Sequence, residues 1–192
     1  MPDKNQAALN FLLTRRSRPA KTLQTPIPDR DTLQVLLTAA ARTPDHGKLE
    51  PWRFIVLEGA SFARLSDLVA TRGAALGKTE EDITKARAQF DMGNLAVVVV
   101  ESPKPSDKIP PLEQTYSAGA VCLALLNAAL AAGWGANWLS GWPSHDPEFR
   151  ARGFGLSAQE RIAGIIHIGT ETNAPPERPR PDLEAITEWV SQ

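Results

Sequence analysis

Apolar residues recur at helical spacing along the first quarter of the chain. Ala8, Leu9, Leu12 and Leu13 share one face of a helix predicted over residues 5–14. A second helix opens at Asp29, a good N-cap type, and carries Leu33, Leu36, Leu37 and Ala40 before Pro44 stops it. The pattern then changes to near-continuous apolar runs, "WRFIVLE" (52–58) and "LAVVVVE" (95–101). Such runs suit strands covered on both faces, and the first is expected at the centre of a sheet. Between them, Ser61 is placed as the cap of one helix, and a further helix spans 80–90. After the polar, proline-rich loop "ESPKPSDKIPPLE", a long helix covers 112–132, with Gly133 suited to its C′ position. "WGANWLS" (134–140) and "RIAGIIHIG" (161–169) read as third and fourth strands, with the short helix "DPEFRARG" between them. The tail "APPERPRPDLEAITEWV" is expected to be extended at first and helical later. Strands separated by helices predict one layered α/β domain over residues 1–192, with no internal repeat. The spacing leaves strand direction open.

Composition narrows the class. A chain of 192 residues is long enough for one sizeable core. A net charge of -1 offers no footprint for nucleic acid or an anionic membrane. The stretch "SAGAVCLALLNAALAAGWGA" (117–136) has the length of a bilayer span, but Asn127, Gly133 and Gly135 interrupt it. It is expected to be a helix buried nearly all round, with a partner subunit supplying part of the cover. The opening "MPDKNQAALN" lacks the apolar run of a signal peptide, and the single Cys122 permits no internal disulfide. Both predict a cytoplasmic protein, with Cys122 as inert packing.

Three short motifs resemble known chemistry and fail. "GAALGKT" (73–79) has Arg72 where a phosphate loop requires glycine. "GWGANW" (133–138) has Trp138 at the third glycine of a dinucleotide fingerprint. "GASFA" (59–63) lies between strand and helix, where a nucleophile elbow belongs, and Ser61 with His145 or His167 would make a serine hydrolase. Ala63 occupies its last small position, and a turn at Gly59 explains the same residues without chemistry. His46, His145 and His167 show no metal-ligand spacing, so no metal is expected.

Two polar clusters remain. Arg15, Arg16 and Ser17 follow the first helix, where cations favour the dipole, or where two guanidinium forks and a hydroxyl bind a phosphate monoester. "RTPDHGKLEPWRF" (42–54) places several charges at the mouth of a strand. The pairing of "RRS" with "R-x-P-x(6)-PW", followed in order by "WRFIVLEG", "SAGAVCLALLNAALAAGWGANW" and "FGLSAQERIAGIIHIG", resembles the FMN-dependent nitroreductase family. "TPDH" and the short loops are most similar to its compact bacterial branch.

That resemblance implies a three-layer α/β fold with a mainly antiparallel four-stranded sheet and the long helix at a homodimer interface. It implies FMN at that interface, contacted by both chains. Arg15, Arg16 and Ser17 are then expected at the ribityl-phosphate, with Arg42, His46, Trp138, Leu139 and Ser140 lining the cofactor. Arg178 and Arg180 of "RPR" match a C-terminal basic contact. The implied activity is NAD(P)H-dependent reduction of nitroaromatic, quinone or related acceptors, with no catalytic side chain, because the flavin carries the redox chemistry. The lack of a separate dinucleotide fingerprint points to a ping-pong mechanism. A flavin-binding sensor or carrier without steady turnover is the alternative. Asp45, His46, Lys48 and Glu50 replace the family's common Ser, Asn and Gln, and Thr170 replaces its Tyr, which bears on substrate range.

Overall fold

The computed structural model describes residues 3–192. Its helices are α1 (Gln6–Thr14), α2 (Arg30–Ala40), α3 (Ala60–Ala75), α4 (Glu80–Asp91), α5 (Pro111–Ala131), α6 (Trp142–His145), α7 (Pro147–Phe154) and α8 (Leu183–Ile186). Its strands are β1 (Leu23–Gln24), β2 (Trp52–Glu58), β3 (Leu95–Glu101), β4 (Gly135–Leu139) and β5 (Arg161–Glu171). All strand pairings are antiparallel: β5 pairs with β1, β3 and β4, and β3 pairs with β2.

Helix starts follow local chemistry. Asn5, Asp29, Thr79 and Asp146 each accept a backbone N–H of the first turn of α1, α2, α4 and α7, satisfying a donor the helix itself leaves free. Gly155, left-handed at φ 67°, ends α7. Asp146 is also clamped by Arg72, whose Nε and Nη2 lie 2.8 and 3.1 Å from its carboxylate oxygens. That cation holds the Asp146 carboxyl below its ordinary range.

Alternation along β3 separates the two cores. Leu95, Val97 and Val99 pack with Leu33, Leu36, Val121 and Leu125 from α2 and α5. Ala96, Val98 and Val100 pack with Phe62, Leu65, Phe90 and Phe149 from α3, α4 and α7. The result is three layers with β3 wholly buried inside.

Three expectations are corrected. The sheet has five strands, because the two-residue β1 is too short to carry a periodic signal. β2 is an edge strand, pairing only with β3; its apolar side chains are half-covered by helices rather than flanked by strands. Gly59, not Ser61, occupies the cap position of α3, because its φ of 52° lets the chain leave β2 at once. Within one chain, α5 is buried on one face, which leaves the other for the expected partner cover. Gln114, Ser117, Ala118, Val121, Cys122, Leu125, Leu126 and Ala129 form the covered stripe, while Leu112, Tyr116 and Leu123 are exposed. α5 has the length and apolarity of a membrane span, but that covered stripe packs into the protein core.

Candidate functional site

The chain leaves α1 at Arg15, whose φ and ψ of -57° and 144° are already extended. The next residues are tied to β4: Arg18 N–H donates to the Ala136 carbonyl at 2.8 Å, and Asn137 Nδ2 donates to the Arg18 carbonyl at 2.7 Å. This fixes Arg15, Arg16 and Ser17 beside the start of β4. Arg15 Nη2 donates to Ser17 Oγ at 3.2 Å. Arg15 Nε and Arg16 Nε and Nη1 are buried and have no partner among the described residues. Burial, and then the nearby Arg180 cation, pull the Arg15 guanidinium below its ordinary pKa.

Arg180 lies 2.8 Å from Glu177, and Arg16 acts on the same carboxylate. The backbone N–H of Arg178, ahead of these cations, keeps Glu177 below its ordinary range. Two guanidinium groups, Arg180 and Arg16, therefore act on one carboxylate, and a third, Arg15, lies near Arg180. Burying N–H donors without acceptors is unfavourable, and gathering like charges adds to it. A multi-oxygen anion relieves both, and a phosphate monoester fits this donor set. The Arg178 side chain makes no ion pair or hydrogen bond among the described residues.

Leu139 and Ser140 lie on a second feature, a cavity of about 530 Å³. Ala20, Gln89, Met92 and Trp142 are also on its wall. It is mainly apolar and large enough for a flat cofactor ring. Gln89 is 9 % exposed, and its Oε1 has no partner; nor has Trp142 Nε1. Gln89 and Met92 had no sequence signal as site residues, because α4 reads as an ordinary amphipathic helix. Trp138 lies outside this cavity wall and is 38 % exposed. Its indole covers Gly164, where an added Cβ would force the Trp138 ring to shift.

Arg42 and His46 are elsewhere. Arg42 is exposed just beyond α2. His46 Nδ1 lies 2.5 Å from Glu113 Oε2, at the start of α5. The loop is further anchored by Ser117, whose hydroxyl donates to the Pro44 carbonyl and accepts from Trp52 Nε1. Glu50 N–H donates to Asp45 Oδ2 at 2.6 Å. Asp45 thus braces a backbone in which Gly47, Lys48 and Glu50 all have positive φ. For Lys48 and Glu50 that conformation costs on the order of 1–3 kcal/mol each, so the loop shape is imposed by its surroundings. Within one chain this loop is tied to the N-terminal part of α5, whereas Arg15–Ser17 lie beside β4, which follows the C-terminal end of that helix.

The hydrolase geometry is not assembled. Ser61 Oγ donates to the Glu58 carbonyl at 2.7 Å, and neither His145 nor His167 bonds to it. Burial pushes the Cys122 thiol up to about 12, so it stays protonated and inert. No metal-ligating cluster occurs among the described residues.

Comparison with known proteins places this geometry in context. The nitroreductase family model matches residues 12–170. An Escherichia coli (strain K12) relative called "Putative NAD(P)H nitroreductase YdjA" is 37% identical over 163 residues, covering 85% of this chain and 87% of its own. A crystal structure of a nitroreductase-like family protein from Bacillus cereus is 28% identical with a TM-score of 0.80, covering 99% of this chain and 98% of the other. The FMN and NADPH-dependent nitroreductase NfnB from Sphigopyxis sp. strain HMH shares the fold at a TM-score of 0.72 and 18% identity, covering 96% and 99%.

Proposed function

Because this chain belongs to the nitroreductase family, we propose that it is an FMN-dependent oxidoreductase that uses NAD(P)H to reduce nitroaromatic, quinone or related acceptors. The observation that carries this reading is the set of buried, partnerless guanidinium N–H groups on Arg15 and Arg16 beside Arg180. In this reading Arg15, Arg16 and Ser17 bind the FMN phosphate, and Arg178 and Arg180 add charge from the tail. Leu139 and Ser140 line the ring, with Trp138 at its border. FMN supplies hydride acceptance and release when bound. The chain supplies orientation, cations where negative charge develops, and an apolar wall of Met92 and Trp142 that limits water. No protein nucleophile is required.

Arg42 and His46 reach the same cofactor from a second copy, since their loop is tied to the start of α5 and Arg15–Ser17 to β4 beyond its far end. The exposed stripe of Leu112, Tyr116 and Leu123 on α5, with Leu9, Leu12 and Leu13 of α1, is the apolar surface such a copy covers. Leu123→Asp should therefore convert a homodimer to monomers in sedimentation and weaken FMN binding together with it. A variant that stays dimeric and keeps its FMN would remove α5 from the interface.

One flat cleft serving both donor and acceptor makes turnover ping-pong. Hydride transfer requires the donor carbon within about 3–3.5 Å of its target, so both substrates must occupy the same face in succession. Initial rates at several fixed acceptor concentrations should give parallel double-reciprocal lines, with excess acceptor competing against NAD(P)H. Intersecting lines would require a ternary complex and overturn the shared cleft.

A further inference from the structure

We infer that Gln89 recognises the carboxamide of the nicotinamide reductant, its side-chain oxygen accepting a carboxamide N–H. This rests on the proposed function and names the group in the Ser140 cavity that tells reductant from acceptor.

The place of Gln89 in α4 is the first observation. The buried face of that helix is Ile83, Ala86, Gln89 and Phe90, so one amide stands among apolar side chains. Gln89 is 9 % exposed. Its Nε2 donates to the Ala86 carbonyl at 3.3 Å, which fixes the two ends of the amide. Oε1 then has no partner among the described residues. A buried acceptor left unused is unfavourable, and a ligand N–H removes that cost.

The cavity supplies the second observation. Gln89 is on the wall of the space of about 530 Å³, beside Gly141, where an added Cβ would lie 4.0 Å from Nε2. Leu139 and Ser140 on that wall belong to the end of β4 and the segment after it, whereas Gln89 belongs to α4 and Met92 ends it. With the flavin ring against Leu139 and Ser140, a nicotinamide laid over its open face comes against α4. Asp82 and Lys85, the charged residues of the wall, cancel, which suits a neutral polar group. Nitroaromatic and quinone acceptors present oxygen lone pairs and no N–H, so Oε1 offers them no bond. The carboxamide is neutral and carries N–H donors. Oε1 therefore favours the reductant in a cleft that both substrates use.

The test uses the full chain loaded with FMN, reduced anaerobically in stopped flow. The reductants are whichever of NADH and NADPH bleaches it, and the acetylpyridine analogue of that nucleotide. The analogue has an acetyl group in place of the carboxamide, so it keeps the carbonyl and loses the N–H. In the parent chain, half-saturation should need about 2- to 12-fold more analogue than nucleotide, the range of one neutral hydrogen bond. Gln89→Met, unbranched and adaptable in a core, should raise the half-saturation for the nucleotide by that factor and leave the value for the analogue in place. A merely structural role would move both together. Equal half-saturation by nucleotide and analogue in the parent chain would overturn this assignment and leave the proposed function standing. The FMN affinity of Gln89→Met, read by fluorescence, should match the parent; a loss of the same size would give Oε1 to the flavin imide N–H instead. A parent chain that takes up no FMN would overturn the proposed function and this assignment with it.

Discussion

Arg16→Ala should lower FMN affinity by about 10- to 150-fold while leaving the unfolding midpoint of the FMN-free chain unchanged or raised. A charge-assisted hydrogen bond contributes ~1.5–3 kcal/mol, and ~1.4 kcal/mol is a factor of ten. The asymmetry comes from Arg16 Nε and Nη1, which are buried and bond to nothing among the described residues. Removing them costs the fold no hydrogen bond, only the attraction of Arg16 to the exposed Glu177 carboxylate. If Arg15–Ser17 served only the dipole of α1, the variant would lose a little stability and keep its affinity. Fluorescence titration of the FMN-free chain and parallel denaturation separate the two cases.

The second large effect is acid instability carried by His167. This residue sits within β5, between Ala96 of β3 and Asn137 of β4, and is 3 % exposed. Burial pushes it down to about 4 from an ordinary 6.5. Above 6.5 it is neutral in both folded and unfolded chains and has no effect. As pH falls below 6.5 the unfolded chain takes up the proton first, so stability declines until about pH 4, where the folded form is protonated as well. At ~1.36 kcal/mol per pH unit that gap is worth about 3 kcal/mol. Glu160, held at about 2 chiefly by its bond to Arg53, and Asp146 lose their contributions only at lower pH. Most of the decline between 6.5 and 4.5 therefore belongs to His167. His167→Phe should flatten stability across that window in urea denaturation. A variant that declines as steeply as the parent chain would place the proton elsewhere.

These two sites differ in how far the sequence revealed them. Arg15, Arg16 and Ser17 could be singled out as a candidate anion site only through the family resemblance, because three polar groups at one helix end suit the helix dipole as well as a phosphate. Gln89 could not, because its role in the cavity wall depends on α4 folding back over the segment after β4. The long helix was legible in position and length but not in orientation. Its alanines look alike whether they face a core or a partner, so the exposure of Tyr116 and Leu123 emerged only in three dimensions. β2 illustrates the same limit: half-covered apolar side chains read as central, although only one edge of the strand is paired. The charges around residues 45–50 were legible as unusual, yet Asp45 proved to brace a left-handed backbone, a role no linear pattern encodes.

The absorbance spectrum of the purified, FMN-supplemented protein, recorded anaerobically before and after NADH or NADPH, tests the central claim most directly. The account predicts visible flavin bands in a ratio of one FMN per chain, bleached by at least one of the two nucleotides and restored by a nitroaromatic or quinone. A chain that takes up no FMN, or bound FMN that neither nucleotide bleaches, would contradict it.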